Sequence, residues 1–220
     1  PAFGGRIFVK TIIFDAHCDT PVELWMRGES LRKNQLAVSL EQAKRFGGYA
    51  QFFAFCTAWI ENDLPHTEQY RRALDYFSAQ LRGNADAVAL CRTAEDAEQA
   101  MSEGKTAAFL AIEGAEAIGC DPGRLYEAYE QGVRMVSLVW NAENPLTGSC
   151  VTGSGLTQKG KDFFRRAQRL GMLVDVSHLS ERGFWDMAEL AERPIVASHS
   201  NSAAVCPHVR NLTDEQFCAL

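Results

Sequence analysis

Five residues able to hold a metal ion stand at or beside the ends of apolar, strand-like runs in this 220-residue chain. His17 closes Thr11-Ile-Ile-Phe-Asp-Ala-His, and Asp19 follows two residues later. Glu113 closes Ala108-Phe-Leu-Ala-Ile-Glu, His178 closes Leu173-Val-Asp-Val-Ser-His, and His199 closes Ile195-Val-Ala-Ser-His. In parallel α/β proteins the C-terminal strand ends surround the active site. One strand-end histidine is more often a satisfied structural residue; four such ends together form a constellation. Residues at i and i+2 of a strand share a face, so His17 and Asp19 are expected to reach one ion together, with Cys18 turned away into the core. Imidazole nitrogens and carboxylate oxygens in this mixture suit Zn²⁺ or another borderline divalent ion. Five ligands exceed the three that one catalytic zinc needs. They suit two ions if one carboxylate bridges, and Glu113, central in the sequence, is the natural bridge. Asp15 reads as a structural hydrogen-bonder or as a support behind the ligands, and Asp175 as structural. His66 reads as a surface residue in a polar loop.

The elements that must position these residues alternate. Strands are expected at Thr11–His17, Tyr49–Thr57, Ala107–Glu113, Val133–Trp140, Met172–His178 and Pro194–His199, each short and largely apolar. Between them run helical patterns with start signals. Tyr70, Leu74, Phe77 and Leu81 recur behind Thr67; Thr93 precedes Ala94–Glu103; Thr157 precedes Gln158–Leu170, which Gly171 ends; Ser180 precedes Glu181–Glu192. Near the C-terminus, Thr213 and Gln216 are spaced as a capping box. Strand–helix alternation implies a parallel sheet with helical crossovers. The pattern alone leaves a doubly wound sheet and a (β/α)8 barrel both open. The absence of G-x-G-x-x-G after the first strand weakens a dinucleotide reading.

Composition bounds the partners. Lys and Arg number 22 against 28 Asp and Glu, a net charge of −6, which argues against nucleic acid and against an anionic membrane surface. No apolar run approaches the ~18 residues of a membrane span. Seven scattered cysteines with no C-x-x-C pair read as reduced thiols of a cytoplasmic chain.

The same motifs resemble the membrane (renal-type) dipeptidase family of zinc peptidases. Asp15-Ala-His-Cys-Asp19-Thr-Pro is similar to that family's opening D-x-H-x-D segment. Gly48-Tyr-Ala-Gln-Phe-Phe53 resembles its second strand, Ile112-Glu113-Gly114 its bridging-glutamate strand, and Asp175-Val-Ser-His178 and Ala197-Ser-His199-Ser its later histidine strands. Gly155-Leu156-Thr157 and Arg210-Asn211-Leu212 also look familial, and the similarity runs from about residue 11 to residue 220. The resemblance implies a (β/α)8 TIM-type barrel, of which about six β/α units are visible, and two zinc ions. One would be held by His17, Asp19 and Glu113, the other by Glu113, His178 and His199. It implies hydrolysis of dipeptides through a metal-bridging hydroxide, with Glu113, His17 and Asp19 at the catalytic centre and Arg210 binding the substrate carboxylate. Where renal members carry a substrate-contacting histidine, this sequence has Trp140, expected to pack on the substrate or shape its pocket. The aspartate that moves the proton in the family's last strands has no counterpart here.

Residues 1–10 read as an N-terminal extension or cloning remnant and 11–220 as the barrel domain, expected to be truncated at its C-terminus. A homodimer is compatible with the family. Two other readings stay open: a barrel amidohydrolase acting on lactams or cyclic amides, and a metal-binding module without catalysis. The first is weakened by H-x-D in place of H-x-H on strand one and by the lack of a strand-end lysine.

Overall fold

The computed structural model describes residues 11–220; the expectation for residues 1–10 falls outside them. In chain order the elements are β1 (Ile12–Cys18), α1 (Thr20–Arg27), α2 (Leu40–Ala43), β2 (Gly48–Cys56), α3 (His66–Gly83), β3 (Val88–Leu90) and α4 (Ala94–Ser102). They continue as β4 (Thr106–Glu113), α5 (Leu125–Glu130), β5 (Val133–Ser137), α6 (Gln158–Leu170), β6 (Leu173–Asp175), α7 (Glu181–Leu190) and α8 (Asp214–Ala219). Local chemistry explains the helix starts. Thr93 and Asp96 form a reciprocal capping box for α4, as Thr213 and Gln216 do for α8. The Thr157 and Ser180 hydroxyls accept from the Gly160 and Gly183 amides and start α6 and α7. Gly171, in the left-handed conformation, ends α6.

The strands form one parallel sheet in the order β1-β2-β4-β5-β6, with β3 also on β4. β2 runs along the whole of β4. β3 pairs Thr106–Ala108 and β5 pairs Leu110–Ile112, so those two strands share the other edge of β4. The sheet curls into part of a barrel wall.

Its two faces bury different things. Alternation along β2 sends Phe53 and Phe55 outward onto Phe77 and Tyr70 of α3, within a core that also holds Leu110, Ile112, Phe163, Phe164 and Phe184. The intervening residues Ala50, Phe52 and Ala54 join Ala107, Phe109, Ala111 and Met135 on the concave face. There Phe52 stacks on Phe109 and meets Phe14 edge to face. Ile12 and Phe14 of β1, on the same concave side, remain 65% and 62% exposed.

Two sequence expectations are corrected. The run Pro194–His199 has a strand's composition but makes a single parallel bridge, Val196 to Asp175; the sixth strand is instead β3, three residues long and too short to show a period. Thr67 does not cap α3, which starts at His66 behind Pro65. No described helix is long and apolar enough to cross a membrane.

Candidate metal centre

The ends of β1, β4, β6 and the Val196 segment converge on one open cavity of about 920 Å³. Each residue expected to carry chemistry lines it: His17, Asp19, Glu113, Trp140, His178, His199 and Arg210.

His17 and Asp19 do reach each other, but not by strand alternation. The β1–β2 register jumps between Asp15 and Cys18, so β1 holds one extra residue in the Ala16–His17 step. Such a bulge re-aims a side chain. The Asp15 carboxylate accepts from the His17 amide at 3.1 Å and holds the bulge closed. Asp19 has already left the strand and stands at the N-cap of α1, where its carboxylate makes no capping bond. Its Oδ1 lies 3.6 Å from His17 Nε2 and is buried without a hydrogen-bond partner. Cys18 is buried in the core, as expected, and burial pushes its thiol up to about 12.

Glu113 is 4% exposed and presents its two oxygens to different histidines. Oε2 faces His17 Nε2 at 3.5 Å; Oε1 faces His178 Nε2 at 2.8 Å and His199 Nε2 at 3.2 Å. Burial alone would raise its pKa, but the imidazoles of His178, His199 and His17 gathered around it outweigh that and hold the carboxyl well below the usual range. Gly114 follows with φ +80, and its amide donates to Ser137 Oγ. A side chain there would strain the backbone and meet Glu116.

His178 and His199 are fixed from behind. His178 Nδ1 lies 2.9 Å from Asn141 Oδ1, an acceptor, so Nδ1 carries the proton. His178 also adopts φ +71, a conformation that costs a non-glycine residue about 1–3 kcal/mol and gathers at functional sites. His199 Nδ1 lies 2.7 Å from Ser198 Oγ, which donates at 2.5 Å to Asp175 Oδ2. Since Asp175 must accept, the serine oxygen accepts from Nδ1–H. Asp175, expected from the sequence to be structural alone, acts on His199 through Ser198. Both Nε2 atoms are left with lone pairs, 3.0 Å apart and beside a carboxylate oxygen. Burial lowers the His178 pKa, favouring the neutral ring. Lone pairs facing one another with no proton between them, plus the orphaned Asp19 oxygen, fit divalent cations. His17, Glu113 and His199 alone bring three ligand atoms within 4.8 Å of one another.

Arg210 is half-buried on the loop after His199, with Nη1 3.5 Å from Ser200 Oγ. Burial lowers its pKa from the ordinary value. The Trp140 ring centre lies 6.1 Å from that of His178. His66, taken as surface, begins α3 half-buried, with Nδ1 3.2 Å from Thr57 O.

The family model for membrane dipeptidases (peptidase family M19) matches residues 2–220. The chain belongs to the membrane dipeptidase family. Within and around it, the chain is 39% identical over 149 residues to an uncharacterised protein of the PQQ-III 3' region of Acinetobacter calcoaceticus, covering 64% of this chain and 47% of that protein. It is 32% identical over 134 residues to a dipeptidase of Claviceps purpurea, covering 59% of this chain and 32% of that protein. The crystal structure of a metallo peptidase from Rhodobacter sphaeroides, liganded with a phosphinate mimic of the dipeptide L-Ala-D-Ala, superposes with a TM-score of 0.81 at 27% identity, over 96% of this chain and 71% of that one. The curled parallel sheet of this membrane dipeptidase is thus part of the TIM-type barrel that the resemblance implied. The chain spans about half the length of the curated relatives it matches first.

The cavity also holds residues that sequence reasoning missed. Glu23 and Arg27 of α1, Trp59, Cys150 and His208 line it. Helix α1 itself had a signal, Pro21 just behind Asp19, which marks a helix start. Asn141 and Ser198, the partners of the two histidines, had none.

Proposed function

We propose that this chain carries the metal centre of a zinc-dependent dipeptidase, with His17, Asp19 and Glu113 holding one ion and Glu113, His178 and His199 the other. The observation that supports this most is the split of the Glu113 carboxylate, Oε2 toward His17 and Oε1 toward His178 and His199. When bound, two zinc ions supply an activated water at neutral pH and Lewis acidity toward the scissile carbonyl. The chain's own residues do the rest. Asn141 and the Ser198–Asp175 pair keep the two imidazoles in the ligating tautomer. Arg210 holds the terminal carboxylate of a dipeptide by planar, charge-assisted hydrogen bonds. Trp140 forms an apolar wall beside His178.

The test is metal content and turnover of the purified full-length protein against a panel of dipeptides, cyclic amides and lactones. Two ions per chain with selective dipeptide hydrolysis supports the reading. Turnover of cyclic amides alone makes it an amidohydrolase, and tight metal binding with no turnover makes it a non-catalytic module.

A further inference from the structure

A dipeptide is charged at both ends, and Arg210 in the cavity wall serves the carboxylate in the dipeptidase reading. The acceptor for the ammonium group is the open question. Among the described residues lining the cavity, three are carboxylates: Asp19, Glu23 and Glu113. Asp19 and Glu113 face the histidines of the metal centre. Glu23 remains. It lies one helical turn beyond Asp19 on α1, so it stands on the same helix face, about 6 Å further along the axis.

Glu23 also has a replaceable partner. Its Oε2 accepts from Arg27 Nη2 at 2.6 Å, one turn further out. The Glu23 side chain is 28% exposed and that of Arg27 is 55% exposed. An exposed pair at i,i+4 holds weakly, because water screens it and ordering two long chains costs entropy. A primary ammonium arriving in the cavity can take the place of the guanidinium while Arg27 turns to solvent. Asp19, Glu23 and Arg27 thus form a stripe leading outward from the metal centre, and Arg210 stands on a different element of the wall, in the loop after His199.

We infer that Glu23 is the residue that recognises the free amino terminus of the substrate, with Arg27 as its resting counter-ion. This makes the site selective for unblocked dipeptides over N-acylated ones. The inference rests on the dipeptidase reading.

The test uses the zinc-loaded full-length protein and two probes: a phosphinate mimic of a dipeptide, and its counterpart lacking the amino group. Affinities are measured by calorimetry for wild type, Glu23→Gln and Arg27→Ala. Wild type should prefer the amine-bearing mimic. Glu23→Gln should weaken that mimic by about 10- to 100-fold, the worth of a charge-assisted hydrogen bond, and leave the other probe unchanged. Arg27→Ala should leave the preference intact. If wild type shows the preference and Glu23→Gln keeps it, or if both variants lose both probes equally, Glu23 is only a helix-stabilising partner and the inference fails while the dipeptidase reading stands. If wild type binds neither probe, both fall.

Discussion

Asp175→Asn changes one atom and should misdirect a proton two residues away. Asp175 is 2% exposed and accepts three hydrogen bonds: from Ser177 N at 2.9 Å and Ser198 N at 3.0 Å on Oδ1, and from Ser198 Oγ at 2.5 Å on Oδ2. Asparagine can keep its oxygen toward the two amides. Its nitrogen then faces Ser198 Oγ and donates, so the serine must turn its hydrogen toward His199 Nδ1. The ring proton moves to Nε2, the atom that faces Glu113 and His178. Exchanging a charge-assisted bond of about 1.5–3 kcal/mol for a neutral one of about 0.5–1.5 kcal/mol costs stability of about 1–1.5 kcal/mol. Supports of this kind typically change metal affinity by about 10- to 100-fold. Metal titration against a competing chelator, on full-length protein, should show that loss at one of two sites. Nitrogen NMR of labelled histidine should show His199 switching from the Nδ1–H to the Nε2–H form. In a Ser198→Ala background the same substitution should add nothing further to the metal loss, since the link is already cut. A folded Asp175→Asn protein that binds both ions with wild-type affinity and keeps Nδ1–H would refute the relay.

Glu113→Gln should weaken both ions, because each carboxylate oxygen serves a different histidine side, whereas His17→Ala should release mainly one; metal analysis of the variants checks this. Arg210→Ala should raise KM for dipeptides by about 10- to 100-fold and change little for C-terminally amidated analogues, the loss being that of charge-assisted bonds; equal losses on both would remove Arg210 from carboxylate recognition. For pH, burial opposes protonation of His17, but the carboxylates of Asp19 and Glu113 beside it outweigh that and raise its pKa above 6.5. In chelator-treated protein, its contribution to stability is therefore full below 6.5 and lost as pH rises through the raised value. The gap between the melting temperatures of wild type and His17→Ala should narrow over that rise; a constant gap refutes it.

What the sequence made legible was whatever depends on neighbours in the chain. The apolar runs that lead to His17, Glu113 and His178 hold strands because periodicity and residue type agree there, with His178 three residues beyond the end of β6, and the caps at Thr93, Thr157, Ser180 and Thr213 are local hydrogen bonds. The convergence of the expected ligands on one cavity was readable for the same reason: strand ends of a parallel sheet share a face. The bulge at His17 was not readable, since it exists only against β2. Neither was the failure of residues 194–199 to extend as a strand beyond Val196, which no composition distinguishes from success. The partners Asn141 and Ser198 and the wall formed by Glu23 and Arg27 come from tertiary approach, and an i,i+4 Glu–Arg pair reads in sequence as an ordinary solvated helix face.

The proposed ligands are threaded widely along the chain, with His17 and Asp19 near its start, Glu113 near its middle and His178 and His199 late. Chains emerge from the ribosome N-terminus first. The His17–Asp19–Glu113 half can therefore close as soon as β1, β2 and β4 have paired, while the other half must wait for β6 and the Val196 segment to dock. Glu113 belongs to both halves, so an early ion would occupy the oxygen facing His17 and leave the other turned toward histidines not yet made. Ion capture would then proceed in a fixed order, and the second ion would act as a latch between β4 and the later segments that carry His178 and His199, engaged only once those segments have docked.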